Sequence, residues 1–199
     1  MSDHPRVLLT NDDGIDSPGI RRLAEALAPM VDLTVVAPQS DMSGSGTGIG
    51  PFDTARGVAL ERLEGTGFDA WTVGGPPGLA VLAGMLGAFG EPPDLVVSGI
   101  NAGLNTGHSI IPSGTVGGAL TARSFGTRGL AVSLAPSDPW HWDTAVEVAV
   151  SAVRWVSGRH DHLVLNVNVP ARPLDEVRGA HWADLDEFGH IRVAMANEP

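Results

Sequence analysis

Short apolar runs that are typical of buried strands alternate along this chain with stretches of helical periodicity. The first pair is a strand signal over residues 6–10 and a helix pattern over 18–28, which places Ile20, Leu23 and Leu27 on one face. Later strand signals lie at 31–37, 95–98, 130–134 and 163–169, and later helix patterns lie at 76–89, at 113–124 and from Asp138-Pro139 to about 156. This alternation predicts a mainly parallel sheet that is covered by helices on both faces.

The predicted fold class is therefore α/β, a Rossmann-like three-layer sandwich. We place this domain over residues 1–170, and we expect a C-terminal extension over 171–199. Residues 58–63 and 68–73, separated by a glycine-containing turn, predict a hairpin. A two-stranded, β-hairpin-like arm is predicted from His181-Trp182 and residues 190–195. A chain of 199 residues is long enough for one substantial core.

Composition excludes several classes of function. The net charge is −11, which disfavours binding to duplex nucleic acid or to an anionic membrane. All 12 basic residues are arginine and there is no cysteine, so Schiff-base lysine, Walker-type phosphate loops, thiol nucleophiles and zinc-thiolate sites are excluded. No signal peptide and no apolar run of the ~20 residues that a membrane span needs are apparent, and we expect a cytoplasmic protein.

Polar residues follow three of the predicted strands. Asp12 and Asp13 follow the first strand, the segment 43–45 (Ser-Gly-Ser) follows the second, and Ser98 leads to Asn101 after the strand at 95–98. In a doubly wound sheet these strand ends lie on one rim, where ligands bind. Two carboxylates, a hydroxyl and an amide oxygen could then surround one hard cation such as Mg²⁺, Mn²⁺ or Ca²⁺. Taken alone, an Asp-Asp-Gly sequence is more commonly just a turn.

A second feature is the start of the helix pattern at 113–124. Ser113 is a typical N-cap residue, and it would leave the backbone N–H groups of Gly114 and Thr115 at the positive end of the helix as a phosphate site. A cation and a phosphate site on one rim favour hydrolysis of a phosphate ester. A cap without further function is the alternative for this segment. His108 is either a general acid or base or, more commonly for a loop histidine, a solvated side chain.

The chain resembles the stationary-phase survival protein SurE family of metal-dependent nucleotidases. The resemblance is carried by residues 9–14 with 17–19, 36–38 leading to Ser43-Gly44, 97–107, 113–117 and 165–170, in this order and spacing. It implies a metal-dependent phosphomonoesterase, a 5′- or 3′-nucleotidase that converts nucleoside monophosphates to nucleoside and phosphate. It also implies a Rossmann-like domain with a protruding arm, assembled as a homodimer or homotetramer.

The resemblance also implies the roles of individual residues. Asp12, Asp13, Ser43 and Asn101 would be the metal ligands, and Ser113, Gly114 and Thr115 would contact phosphate, beside Asn101. The cofactor would be Mg²⁺ or Mn²⁺. A metal-activated water would attack phosphorus, with Asp12 or Asp13 assisting as base. Two alternatives stay open: a nucleotide- or phosphate-binding protein without catalysis, and, less favoured, an aspartyl-phosphate phosphatase.

Overall fold

A computed structural model describes residues 4–50 and 57–185 of the chain. In chain order its strands and helices are β1 (Arg6–Thr10), α1 (Pro18–Leu27), β2 (Asp32–Pro38), β3 (Leu60–Leu63), β4 (Asp69–Val73), α2 (Pro77–Met85), β5 (Leu95–Ala102), α3 (Gly114–Ser124), β6 (Arg128–Leu134), α4 (Trp142–Ser157) and β7 (Val164–Val169). Two short 3-10 turns lie at Gly107–Ile110 and Leu174–Glu176. The part of the chain that is described holds no helix long and apolar enough to cross a membrane.

The seven strands form one sheet in the order β3-β4-β2-β1-β5-β6-β7. All neighbouring pairs are parallel except β3 and β4, which form an antiparallel pair at one edge, as the hairpin pattern predicts. The chain leaves β1 towards β2 on one side and later returns to β5 on the other side. The carboxyl ends of β1 and β5, where Thr10 pairs with Ser98, therefore frame the crevice in which ligands of such sheets bind.

Helices cover both faces of this sheet, which confirms the predicted α/β three-layer architecture. On one face Leu9 of β1 packs in a core with Leu23 of α1 and Val153 of α4. On the other face Leu8 of β1 packs with Leu79 of α2, while α3 lies over β5 and β6. Successive residues of β1 thus pack in cores on opposite faces of the sheet, because side chains alternate across a strand.

Three element boundaries differ from the sequence prediction by more than two residues. Strand β5 continues to Ala102 instead of ending at Ser98, because after an irregularity Asn101 and Ala102 pair with β6 through backbone groups that apolar patterning does not reveal. Helix α4 begins at Trp142, with His141 as its N-cap residue, so the predicted start at Asp138-Pro139 is wrong. Helix α2 ends at Met85, short of the predicted residue 89.

The segment after β7 contains only the 3-10 turn at Leu174–Glu176 among its described residues. His181 and Trp182 lie in no strand, and residues 190–195 of the predicted arm lie outside the described residues. The division into a domain over 1–170 and an extension over 171–199 stays a prediction.

Arg128 at the start of β6 provides a test of how this fold is held together. Its guanidinium donates to the carbonyl oxygens of Asp94 (3.1 Å), Ser157 (3.0 Å) and Arg159 (2.8 Å), so it joins the start of β5 to the carboxyl end of α4. We expect Arg128→Met to lower the free energy of unfolding by about 1–3 kcal/mol, since several charge-assisted hydrogen bonds are lost together. Urea denaturation measures this loss.

Arg62→Met is the control, because Arg62 makes an exposed ion pair with Asp69 in the β3–β4 hairpin. Such pairs contribute about 0–1 kcal/mol. Equal destabilisation by the two substitutions would contradict a structural role for Arg128.

Candidate active site

The turn between β1 and α1 is held by the buried side chain of Asn11. Its amide nitrogen donates to the carbonyl oxygen of Gly14 (2.9 Å) and to the hydroxyl of Ser17 (2.7 Å). Gly14 has a φ of +96°, a conformation that favours glycine. These contacts fix the two intervening aspartates at the mouth of the crevice between β1 and β5.

Asp12 links this turn to two other parts of the chain. Its carboxylate is buried and accepts a hydrogen bond from the hydroxyl of Thr115 in the first turn of α3 (2.5 Å). Its backbone carbonyl accepts from the N–H of Met42 in the loop after β2 (2.7 Å). One carboxylate oxygen of Asp12 is therefore oriented by α3, which directs the side chain towards that helix.

Asp13 is directed towards β5, where its carboxylate accepts a hydrogen bond from the N–H of Ala102 (3.3 Å). Burial and the charge of Asp12 raise the pKa of Asp13 from 3.8 to about 6. The charge of Asp41 adds to this rise, and the hydrogen bond from Ala102 opposes it. The pair of carboxylates thus concentrates negative charge that no described cation neutralises.

Asn101 lies at the end of β5, beside the residue that binds Asp13. Its amide nitrogen donates to the carbonyl oxygen of Gly103 (2.7 Å), so the side-chain oxygen is the atom available to a ligand. The half-buried Asn101 and the two aspartates are brought to one place by the adjacency of β1 and β5. The structure thus places these three residues at one edge of the sheet, where the sequence predicts them.

The loop between β5 and α3 is anchored by the buried side chain and backbone of Asn105. Its N–H donates to the side-chain oxygen of Asn168 (2.8 Å), and its amide nitrogen donates to the hydroxyl of Ser133 (2.8 Å). Its carbonyl oxygen accepts from the amides of Asn166 (2.9 Å) and Asn168 (3.0 Å). Strands β6 and β7 thereby fix the loop that connects Asn101 with the start of α3.

Helix α3 begins as the sequence predicts, with Ser113 as its N-cap. The Ser113 hydroxyl accepts from the N–H of Val116 (3.1 Å). The first N–H groups of a helix have no partner within it, so those of Gly114 and Thr115 stay at the positive end. The hydroxyl of Thr115 is already bonded to Asp12, so its side chain orients the carboxylate and its backbone is the part left for phosphate.

Gly114 lets Asp12 and the loop after β2 approach this end of α3 closely, and no larger residue fits there. A Cβ atom there would lie 2.6 Å from the hydroxyl of Ser45 and 2.8 Å from a carboxylate oxygen of Asp12. The Ser45 hydroxyl is buried and has no hydrogen-bond partner among the described residues. A buried hydroxyl without a partner is costly, which indicates that a polar ligand can complete this site.

Ser43, the predicted metal ligand of this loop, lies differently. It is exposed, and its side chain and its N–H (2.7 Å) both form hydrogen bonds with the carboxylate of Asp41, which hold the pKa of Asp41 below its usual value. No hydrogen bond joins Ser43 to Asp12 or Asp13 in the described part of the chain. The structure therefore brings the Ser45 hydroxyl, rather than that of Ser43, to the end of α3.

The loop after β2 packs against α3 without space for side chains. The N–H of Gly46 donates to the carbonyl oxygen of Pro112 (2.9 Å). A Cβ on Gly117 would lie 1.8 Å from the carbonyl oxygen of Gly46, so only glycine fits at this crossing. This contact fixes Ser45 relative to the helix terminus.

The donor chemistry of the site fits a hard divalent cation. Asp12, Asp13 and Asn101 provide carboxylate and amide oxygens at one place, and serine hydroxyls lie in the adjoining loop. The described residues contain no group of three or more His, Cys, Asp or Glu side chains that could hold a metal ion. The available donors are thus two carboxylates with neutral oxygens, the set that Mg²⁺ and Mn²⁺ accept.

The surroundings of His108 and Ser45 are not determined by any local sequence pattern. His108 is exposed in the 3-10 turn at Gly107–Ile110, and nothing in its surroundings gives it a catalytic role. Ser45 lies in the Ser-Gly-Ser segment that the sequence singles out, but no pattern indicates which of the two serines turns inward. Only the contact between this loop and α3 distinguishes them.

Comparisons with known proteins agree on one family. The family model described as Survival protein SurE matches residues 7–189. The chain is 42% identical over 180 residues to a 5′-nucleotidase SurE from Alkalilimnicola ehrlichii, covering 87% of this chain and 66% of that protein. It is 40% identical over 180 residues to a 5′/3′-nucleotidase SurE from Shigella dysenteriae serotype 1, covering 87% of this chain and 67% of that protein.

A solved structure agrees with these matches. The crystal structure of the SurE protein from Aquifex aeolicus superposes with a TM-score of 0.76 at 35% sequence identity, covering 89% of this chain and 71% of that chain. The chain spans about two thirds of the length of the curated relatives that it matches.

The raised pKa of Asp13 predicts a pH-dependent stability. Its folded-state pKa of about 6 exceeds 3.8, so its favourable contribution is complete below pH 3.8 and is lost as the pH rises through about 6. We expect Asp13→Asn to raise the Tm at pH 8 by about 3 °C, or about 1 kcal/mol after allowance for solvent screening, and to raise it less at pH 4. Calorimetry in metal-free buffer measures both values.

Asp16→Asn is the matched control, because Asp16 is an exposed carboxylate in the same turn. Its Tm should change little at either pH. An equal rise in the Tm of Asp13→Asn at both pH values would contradict the repulsion between Asp12 and Asp13.

Proposed function

The chain belongs to the SurE family, and we propose on this basis that it is a phosphoric monoester hydrolase, a nucleotidase that converts nucleoside 5′- or 3′-monophosphates to nucleoside and inorganic phosphate. The curated relatives that carry 5′-nucleotidase names support this activity. The chain covers about two thirds of the length of those relatives, so the activity of the whole protein is a proposal for this chain.

One observation supports the proposal more than any other. The carboxylate of Asp12 lies against the amino end of α3, and the buried hydroxyl of Ser45 lies close to the same end, beside Gly114. A cation at the carboxylates and a phosphate at the helix terminus would therefore be neighbours. This is the arrangement that hydrolysis of a phosphate monoester requires, since the ester's negative charge must be balanced from two sides.

We propose that a divalent cation, Mg²⁺ or Mn²⁺, is held by Asp12, Asp13 and Asn101, with Ser43 as the ligand that the family resemblance adds. The raised pKa of Asp13 supports this, because a cation would relieve the repulsion between the two carboxylates. When bound, such a cation polarises the phosphoryl oxygens and lowers the pKa of water.

The chain's own residues carry the remaining steps. The backbone N–H groups of Gly114 and Thr115 bind the phosphoryl oxygens at the positive end of α3, beneath the capping hydroxyl of Ser113. Thr115 holds the carboxylate of Asp12 in place. Asp12 or Asp13 accepts a proton at a carboxylate oxygen from the water that attacks phosphorus. A bond forms between the water oxygen and phosphorus, the bond between phosphorus and the ester oxygen breaks, and the leaving oxygen takes a proton from solvent to give the nucleoside.

Assembly remains a prediction of the family resemblance, and location remains a prediction of the sequence. We expect a homodimer or homotetramer, and we expect the protein in the cytoplasm. Nothing favours duplex nucleic acid or a membrane as a partner, since the chain carries a net charge of −11. A nucleotide-binding protein without catalysis is the alternative that the following experiment separates.

Asp12→Asn tests the proposed activity. Phosphate release from a panel of nucleoside monophosphates should depend on Mn²⁺ and stop when chelator is added. The substitution should lower kcat by about 100-fold or more, because it removes a charge from the reaction centre. The fold should persist, since an asparagine oxygen can still accept from Thr115.

Asp16→Asn controls for a general loss of negative charge in the same turn and should keep wild-type turnover. Wild-type turnover by Asp12→Asn would refute the assigned centre. Binding of nucleotide by the wild-type protein without phosphate release, at any metal concentration, would establish the non-catalytic alternative.

We assign the two serines of the loop after β2 different roles. The hydroxyl of Ser45 is proposed to donate to the bound phosphate, because it is buried, has no hydrogen-bond partner among the described residues and lies beside Gly114 at the start of α3. Ser43, which is exposed, is left as the predicted ligand of the cation.

Two alanine variants separate these roles. Ser45→Ala should weaken binding of inorganic phosphate to the Mn²⁺-loaded protein about tenfold or more, since one hydrogen bond to a charged group contributes about 1.5–3 kcal/mol. It should leave Mn²⁺ affinity unchanged, whereas Ser43→Ala should weaken Mn²⁺ binding. Titration calorimetry with Mn²⁺ and then with phosphate measures both, and the opposite pattern would reverse the assignment.

A further inference from the structure

A cavity of about 320 Å³ lies among α1, the start of α4 and the segment after β7, over the face of the sheet opposite to α3. Its walls include Arg22, Trp140, Trp142, Glu147 and Leu174, and it shares no lining residue with the candidate active site. Sites for small molecules begin at about 300 Å³, so this separate cavity has room for one small ligand.

Two tryptophan rings form the aromatic wall of this cavity. The rings of Trp140 and Trp142 are stacked, with centroids 5.1 Å apart and planes inclined by 17°. Trp142 is held against α1, where a Cβ on Gly19 would lie 3.1 Å from its ring. Trp140 remains 37% exposed. Because Trp142 supports the ring of Trp140 from one side, a ligand in the cavity meets an aromatic surface that is already ordered.

The charged groups of the cavity favour a cationic ligand. The guanidinium of Arg22 is paired with Asp143 at 3.2 Å, so its charge is balanced within the wall. Glu147 lies one helical turn after Asp143 on α4, and in the described part of the chain it takes part in no ion pair. The remaining titratable group of the wall is His141. The wall therefore offers one carboxylate, that of Glu147, to a positive charge.

Two other tryptophans of this protein are covered by guanidinium groups. In both, an arginine lies over the ring and pairs with a carboxylate: Arg62 with Trp71 and Asp69, and Arg159 with Trp155 and Asp161. The guanidinium carbon lies 5.8 Å from the ring centroid in the first group and 4.7 Å in the second. Among the described residues no guanidinium lies over Trp140 or Trp142. The cavity thus has the ring and the carboxylate of these groups but lacks their cation.

We propose that the cavity binds a small organic cation through a guanidinium group, which stacks on the ring of Trp140 and donates to the carboxylate of Glu147. A guanidinium is planar and weakly hydrated, so its face can lie on an indole while its N–H groups reach a carboxylate in its own plane. An ammonium group is compact and strongly hydrated, and it fits this wall less well. The site is separate from the candidate active site, and the inference does not depend on the proposed hydrolysis.

Nuclear magnetic resonance of the tryptophan indole N–H groups tests the proposal. Butylguanidinium is titrated into the protein without metal or nucleotide at pH 8, above the range in which histidine usually carries charge. Of the five indole signals, those of Trp140 and Trp142 should shift. Butylurea has the same shape without the charge, and butylammonium has the charge without the planar group. Each should bind about tenfold more weakly than butylguanidinium, because each lacks one of the two interactions.

Two substitutions assign the contacts. Trp140→Leu should weaken the binding of butylguanidinium about tenfold, whereas Trp140→Phe keeps an aromatic ring and should retain most of the affinity. Glu147→Gln should lower the preference for butylguanidinium over butylurea about threefold, since the partner of the cation loses its charge. Trp155→Leu is the matched control and should bind as the wild type does, because Trp155 is similarly exposed, at 42%, but is already covered by Arg159.

Equal binding of butylguanidinium and butylurea by the wild-type protein would overturn the proposal. Wild-type affinity for butylguanidinium in Trp140→Leu would overturn it as well. The signals of Trp71 and Trp155 lie away from the cavity, so their unchanged positions in the Trp140 variants exclude a folding defect as the cause of weaker binding. Because the assay contains no nucleotide, its outcome is independent of whether the protein releases phosphate.

Discussion

The mutual repulsion of Asp12 and Asp13 is the constraint on which the rest of this structure depends. Two carboxylates cannot be held side by side in a half-buried crevice unless neighbouring groups fix them and a positive charge can join them. The described structure supplies the first condition through Asn11, Thr115 and the N–H of Ala102. These groups come from the β1–α1 turn, from α3 and from β5, so the arrangement exists only when the whole centre of the sheet is folded.

The chemistry of the rim follows from this convergence. The Asn105 network ties the loop between β5 and α3 to the outer strands, and the loop after β2 is tied to α3 by Gly46. Carboxylates, an amide oxygen, a helix terminus and a serine hydroxyl are thereby held at defined positions before any ligand binds. Fixed dipoles of this kind are effective because they need little reorganisation when charge develops.

The sequence alone predicts the parts of this arrangement that local physics determines. The end of β1 at Thr10, the capping role of Ser113 and the gathering of polar residues at strand ends follow from hydrophobic periodicity and from the geometry of parallel sheets. The bond between Asp12 and Thr115 joins residues 103 positions apart, and no local pattern encodes it. The extension of β5 and the inward turn of Ser45 depend in the same way on backbone pairing and loop packing between distant segments.

The contact between Gly46 and Gly117 has a consequence for the position of Ser45. Because a single methyl group cannot be accommodated at Gly117, the loop and the helix meet backbone to backbone at this point. A side chain at Gly117 would therefore separate the loop from the helix and move Ser45 away from the phosphate end of the site.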